Sequence, residues 1–363
     1  SFLIFAGTES SHMKLLLFLI IVSSVNPLFP QQIPKAIVKG RVVDDSTNVP
    51  LPLANVFVSN STIGTAANEE GKFELKGVPL GTQQIVASIV GYKSASFTAQ
   101  LSDSIVQIVE FRLKSRPVQI PGVEVEEKDP VEWRKHLQKF TEVFLGWTPN
   151  AAKCRIVNPE VLDFAFDEEA NRLEATAREP LEIENFALGY RFQCMLVLFT
   201  QSPQAFQYIG FTAFRLVVPR SVGEVEEWKT NRRNAYYGSK RHFLQALVKN
   251  STKKEGFDVY SVRRDWTDKA LRRPVGFEVN VDGLLSPGDS PHEKKLVFQD
   301  LLQVIYTRGN VTRISLLELN GPSVTVFTNG LTANPLGLWT YGYWSTQRGA
   351  EMLPIDYEPE QSR

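Results

Sequence analysis

The sequence predicts a mainly β protein with an α+β second domain. A β-sandwich is expected over residues 33–115, then a linker at 116–128 and a strand-rich domain with two long helices over 129–363. Three observations predict it. From Ala36 to Lys114, short apolar stretches alternate with turn clusters at roughly eight- to twelve-residue spacing, as in sandwiches. After Asp129, two segments combine helix-start residues with apolar stripes at three- and four-residue steps. Between and beyond them the chain reverts to strand-like runs. At 363 residues, with 43% hydrophobic and 22% charged, it holds enough apolar material for two cores.

The first element is an export signal. Met13-Lys14 is followed by the unbroken apolar run Leu15–Val22 and then by Ser23, Ser24, Asn26 and Pro27. A basic start, a short apolar centre and a polar exit describe a secretory signal peptide. The run is well short of the roughly 20 residues of a permanent membrane span. Residues 1–32 are therefore read as upstream residues and signal, with cleavage near Pro30–Gln32 and no transmembrane span afterwards. The expected location is the periplasm, the outer-membrane surface or the outside of the cell. In such an oxidising compartment Cys154 and Cys194 either pair, for about 3 to 4 kcal/mol, or remain as buried thiols.

Within the sandwich, Ile37–Val43 and Ala54–Val58 read as the first two strands, with Asp44–Asn48 closing the first and Pro50 and Pro52 leading into the second. Asn60–Thr65 and Asn68–Gly71 make turns. Lys72–Leu75 alternates polar with apolar, and Gln84–Val90 and Val106–Leu113 supply the later strands. Gly71 and Gly91 mark reversals that call for positive φ. Tyr92 is placed to cap the core with its ring while its hydroxyl finds a polar partner. This unit is expected to fold by itself.

In order and spacing, Gly40-Arg41-Val42-Val43-Asp44, Pro52-Leu53-Ala54-Asn55-Val56, Gly64-Thr65, Asn68-x-x-Gly71-x-Phe73-x-Leu75 and Val90-Gly91-Tyr92 resemble the carboxypeptidase-regulatory-like family. The resemblance implies a transthyretin-like (prealbumin-like) sandwich and an envelope protein of Gram-negative type. Asn68 departs from the usual Asp but can make the same local backbone bonds. Metallocarboxypeptidase chemistry does not follow from it. Three residues after His136, His242 and His292 stand Lys139, Gln245 and Lys295, so the His-x-x-Glu zinc pair is missing. His292-Glu293 lacks a second His, because Leu296 occupies its place.

Arg116–Lys128, with Pro117, Pro121 and alternating Val and Glu, reads as a linker or a final edge strand. Asp129, Pro130 and Glu132 then fit N-cap, first-turn and capping-box positions, and Trp133, Leu137, Phe140 and Phe144 draw one apolar stripe ended by Gly146. Strands follow between Val161 and Val218, the last two forming a hairpin around Gln201–Gln204. A single helix is expected from Val222 to Val248, started by Ser221 and Glu224 and running through Gly238-Ser239. Later strands fall at Phe257–Val262, Leu296–Thr307, Ile314–Leu319 and Ser323–Phe327.

Several of these segments resemble a family found joined to this sandwich in secreted proteins, one with no established activity. They include Asn158-Pro159-Glu160-Val161-Leu162, Asn231-Arg232-Arg233-x-Ala235-Tyr236-x-Gly238-Ser239, His242-Phe243-Leu244, Tyr343-Trp344 and Leu353-Pro354-x-Asp356-Tyr357.

Catalytic signatures are not seen. No Gly-x-Ser-x-Gly elbow or phosphate-binding loop occurs, and neither a cofactor nor a metal is expected. Lys plus Arg equals Asp plus Glu at 40 each, which gives no general pull toward nucleic acid. The aromatic residues Trp339, Tyr341, Tyr343, Trp344 and Tyr357 read either as a packed terminal strand, favoured by the period-two spacing, or as a sugar platform. One local patch stands out. Arg232, Arg233, Lys240 and Arg241 would share the flanks of the long helix and could dock an anionic partner, an envelope polysaccharide or another envelope protein. The expected function is thus a non-enzymatic, exported binding or scaffolding protein of the envelope or surface. The alternative is a secreted hydrolase of glycans or peptides with carboxylates hidden in the second domain.

Overall fold

The computed structural model describes residues 35–102, 106–115, 130–264 and 276–360. The expected signal peptide, the linker and the Asp129 N-cap lie outside them. From Lys35 onward the chain forms one compact unit.

The N-terminal part is a two-sheet sandwich. Strands β1 (Lys35–Asp44), β4 (Lys72–Pro79) and β7 (Val106–Leu113) form one sheet, in the order β4-β1-β7. The other, in the order β3-β2-β5-β6, joins β2 (Asn55–Val58), β3 (Gly64–Ala66), β5 (Gly81–Ser88) and β6 (Ala95–Leu101). Alternation along the strands turns Val38, Val42, Val56, Val58, Leu75, Ile85 and Ala87 into one core. The turn chemistry is as the sequence predicts. The Asn68 side-chain oxygen accepts from the backbone N–H of Glu70 (3.1 Å) and Lys72 (2.8 Å), and Gly71 has φ +73°. Tyr92 packs against the core, and its hydroxyl meets the Asp44 carboxylate.

In the second part, α1 (Pro130–Leu145) lies on a six-stranded antiparallel sheet. That sheet is built on the long hairpin of β12 (Tyr190–Gln201) and β13 (Phe206–Leu216). Strands β11 (Leu181–Asn185) and β10 (Arg172–Ala177) share the opposite edge of β12. Next to them come β8 (Cys154–Ile156) and β9 (Leu162–Asp167). The aromatic stripe of α1 is buried from Phe140 to Phe144, against Leu173, Phe192, Phe199 and Phe214, while Trp133 is half-buried and donates to the Leu162 carbonyl at 3.2 Å. Tyr190, Phe192 and Cys194 face the helix. Their neighbours Arg191, Gln193 and Met195 face the other way, toward the sandwich.

The single helix expected over Val222–Val248 is two helices: α2 (Val222–Tyr236) and α3 (Lys240–Val248). The break lies at Tyr237–Ser239. Tyr237 is extended (φ −65°, ψ 128°) and Gly238 has φ +74°, where a Cβ would lie 2.4 Å from the Tyr306 ring, so only glycine fits, and Ser239 caps a new helix by accepting from the His242 N–H at 3.0 Å. The apolar side of α3, Phe243, Leu244, Ala246 and Leu247, covers a sheet of β14 (Phe257–Val262), β18 (Leu301–Arg308), β19 (Val311–Leu319) and β21 (Leu338–Gly342). The strand expected at Leu296–Thr307 is also interrupted. β17 (Glu293–Leu296) pairs with β20 (Val324–Phe327) in a separate small sheet, and Asp300, at φ +57°, precedes β18. Among the described residues no helix is long and apolar enough to cross a membrane.

The two parts are fused rather than strung together. Phe57 and Val86, on the outer face of the sandwich, pack with Met195 and Ala213 of the hairpin in a small core of their own. Ile355, near the C-terminus, enters the core of the sandwich.

Candidate functional site

The four cations singled out in the sequence do not form a solvated docking face. Arg232 reaches from α2 to the turn before β12, donating to the carbonyls of Leu188 (2.7 Å) and Gly189 (3.3 Å), with its guanidinium 4.2 Å over the Tyr190 ring. Arg241 projects from the first turn of α3 into the C-terminal segment. It donates to the carbonyls of Pro354 (2.7 Å), Ile355 (2.5 Å), Tyr357 (3.2 Å) and Asn329 (3.3 Å). Lys240 is half-buried, and loss of water pulls its ammonium pKa down. Arg233 donates to the Thr230 hydroxyl on its own helix at 3.3 Å. The break at Gly238 also separates the two pairs onto different helices. Arg232 and Arg241 are therefore internal staples, their donors taken by backbone carbonyls rather than left for an anionic partner.

The segment after Leu353 is held by Arg241 on one side. On the other, Ile355 N–H donates to the Asn60 carbonyl (2.7 Å) and Asp356 accepts from the Thr62 N–H (2.9 Å) and hydroxyl. Trp344, buried, donates to the Gly238 carbonyl at 2.8 Å. Gly238, Arg241, Trp344 and the Pro354–Tyr357 stretch thus meet at one architectural joint. Of the other aromatic residues, Trp339, Tyr343 and Tyr357 are half-buried and Tyr341 is exposed, so the terminal strand packs only in part.

His242 is the most enclosed titratable side chain of this joint. Its Nδ1 accepts from the Gly238 N–H (3.1 Å) and its Nε2 bonds Glu255 (3.2 Å), while the rings of Tyr236, Tyr237, Phe257 and Tyr306 surround it. Burial lowers its pKa, partly opposed by Glu255. With both nitrogens bonded, it is placed as a core residue rather than a general base.

The cysteines are free. Cys154 stands opposite Asn185 on β11, and Cys194 stands opposite Leu181 of the same strand. Two strand spacings and a four-residue offset put them on the order of 17 Å apart, far beyond the roughly 7 Å limit for a disulfide. The expected alternative of pairing is excluded by register. Desolvation pushes both thiols up to about 12.

An exposed cationic feature does exist, in a place that the sequence did not mark. Cross-strand register sets Arg155, Glu184, Arg191 and Arg215 side by side on β8, β11, β12 and β13. Glu184 is buried between Arg155 and Arg191, each 2.5 Å away, and these bonds hold its carboxyl below the usual range. Arg155 and Arg191 stay two-thirds exposed. Among the described residues no acid pairs with Arg215, and it lines a cleft of about 280 Å³ between the β2–β3 hairpin and β13. Its walls mix small residues, Ser61, Gly64, Ala66 and Ala213, with the larger Phe57, Ile63 and Phe214. At its closed end Ser61 and Ala213 form a parallel bridge, with Asn60 N–H to Thr212 carbonyl at 2.6 Å and Phe214 N–H to Ser61 carbonyl at 2.8 Å. The three arginines lie 36 and 24 residues apart, and only the sheet register brings them into a row.

With this geometry in place, comparison with known proteins decides the N-terminal part. Residues 38–125 match the CarboxypepD_reg-like domain. The match covers the regulatory-like sandwich and takes in part of the stretch read as a linker. No curated protein matches the chain. Solved structures similar to it include a streptococcal ancillary pilin, 23% identical over 23% of this chain and 30% of that one, at TM-score 0.19. The major pilin subunit BcpA of Bacillus cereus is 13% identical over the same shares, also at 0.19. A candidate carbohydrate binding protein from Bacteroides uniformis is 8% identical over 81% of this chain and 99% of that one, again at 0.19. The chain spans less than a third of the two pilins, and superpositions this loose carry no argument about function.

Proposed function

We propose that the protein is an exported, non-enzymatic component of the cell envelope or surface, and that it acts by binding or scaffolding. One observation carries the reading. The regulatory-like sandwich is welded to the second part through Phe57, Val86, Met195 and Ala213, so the two present a single rigid junction. That junction carries an open cleft and a row of exposed arginines. Rigid presentation of a cleft between two sheets suits recognition of a partner. Within the joint, by contrast, the groups with chemistry to offer, His242, Glu255 and Arg241, are engaged with one another or with the backbone. Export rests on the Met13–Pro27 pattern. The partner is an envelope polysaccharide or another envelope protein.

The test is expression from Met13 in a Gram-negative host, followed by fractionation and intact mass. A mature protein lacking Met13–Phe29, recovered outside the cytoplasm, is expected. A cytoplasmic product that retains those residues would overturn the reading.

A further inference from the structure

The cleft at the junction lies between two sheet edges. Among the described residues strand β3 is paired only with β2, and β13 is paired with β12 along its length and bonds the sandwich backbone at the Ser61–Ala213 bridge. Ladder alternation shows which backbone groups are open. Val58 N–H donates to the Ile63 carbonyl and Ala67 N–H to the Ala54 carbonyl, so positions 63, 65 and 67 face β2 while Gly64 and Ala66 face the cleft. On β13, Thr212 and Phe214 bond the sandwich, and the next outward position is Leu216, which is 65% exposed. The edge of β13 already takes backbone bonds from this very chain at a turn: Asn60, at φ +60°, donates its N–H to the Thr212 carbonyl, and Phe214 N–H donates to the Ser61 carbonyl. Beyond that point the edge continues with nothing on it among the described residues.

We propose that this cleft takes up an extended acidic peptide as an added strand, pairing with the open backbone of β13 and β3 and setting a carboxylate on Arg215. Small walls at Gly64, Ala66 and Ala213 allow close backbone approach. The charge is complementary: Arg215 stands in the cleft itself with no acid paired to it among the described residues, whereas Arg155 and Arg191 are held by Glu184. On an added strand every second side chain shares one face, and one carboxylate of an alternating peptide would lie level with Arg215. A polyanionic polysaccharide could engage the arginines but has no ladder of N–H and C=O groups to match the strand edges, and the peptide is favoured for that reason. The inference rests on the binding role proposed above and adds the class of partner.

The test uses the full mature chain and a capped hexapeptide of alternating Val and Glu, read by fluorescence anisotropy at low salt. Binding is expected, with loss on raising salt, and the Val-Lys counterpart should not bind. Arg215→Gln should weaken binding about tenfold, and this variant leaves the Glu184 pairs intact, so its fold is checked by an unchanged urea midpoint. N-methylation of alternate peptide nitrogens should abolish binding, which a purely ionic site would not require. Equal affinity for the N-methylated peptide would overturn the added strand. Polygalacturonate that binds where the peptide does not would also overturn it, while leaving a binding role in place. Failure of every probe would refute the inference, and the export test stands apart from all of these results.

Discussion

Arg241 donates to the backbone carbonyl of Ile355 at 2.5 Å, and the side chain of that same Ile355 is buried in the core of the sandwich. One guanidinium on a helix of the second part therefore fixes the residue that plugs the first. Fork geometry suits the task, since its donors reach carbonyls on both Asn329 and the Pro354–Tyr357 stretch. Arg241→Met should cost about 2–4 kcal/mol, because several half-buried carbonyls lose charged donors at once. Urea unfolding measures the loss, and limited proteolysis should show earlier cleavage in Met352–Glu360. An unchanged midpoint would mean that water replaces the guanidinium without penalty.

The sandwich cut out as residues 33–116 should be much weaker than it is in the whole chain, against the expectation from sequence that it folds independently. The fragment lacks Ile355 and exposes Phe57 and Val86, which are 1% and 0% accessible in the intact protein. Burial of each such side chain is worth about 1.5–3 kcal/mol, against a typical domain total of about 5–15 kcal/mol. Calorimetry or circular dichroism should give a low or broad melt, with binding of a hydrophobic dye. A sharp melt without dye binding would show the seam to be dispensable.

How much of this was legible in the sequence depends on the range of the interaction. Local rules sufficed for the turn at Asn68–Gly71, for the start of α1 at Pro130 and for the β12–β13 hairpin, because neighbours in the chain set them. The helix break at Gly238 is not legible locally, because Gly238 itself fits the helical pattern and the Tyr306 ring that excludes any Cβ there lies 68 residues further on. The docking patch was misread for a similar reason: charge and helical spacing do not reveal that carbonyls from residues 354–357 arrive at Arg241. Conversely, Arg155, Arg191 and Arg215 look unremarkable until strand register aligns them. Single-sequence patterns report faces, whereas which face meets which partner is tertiary information.

Neither cysteine should react quickly in the native protein. Burial raises both thiols to about 12, so the thiolate fraction at pH 8 is very small. Alkylation with iodoacetamide at pH 8 should label neither Cys154 nor Cys194 on the time scale that labels a free thiol, and both in urea. Non-reducing peptide mapping should recover both as thiols. A Cys154–Cys194 crosslinked peptide would require a different register for β8 or β12.

Stability should fall on mild acidification through His242. The Gly238 N–H donates to Nδ1, so the ring proton sits on Nε2 facing Glu255 and the imidazole is neutral. Protonating Nδ1 would set two donors against each other inside a shell of aromatic rings. Burial therefore holds the folded pKa below the ordinary value, with Glu255 opposing only in part. In the unfolded chain the ring titrates near 6.5. Between that value and the lower folded one, the unfolded chain binds a proton that the folded chain does not. Stability from this group is accordingly complete above about pH 6.5 and is lost as pH falls toward the folded pKa. Urea midpoints of the native protein should drop between pH 8 and pH 5. His242→Gln, which keeps an acceptor near Gly238 but cannot titrate, should start lower at pH 8 and show a smaller drop. An equal drop in both proteins would assign the acid sensitivity to another group.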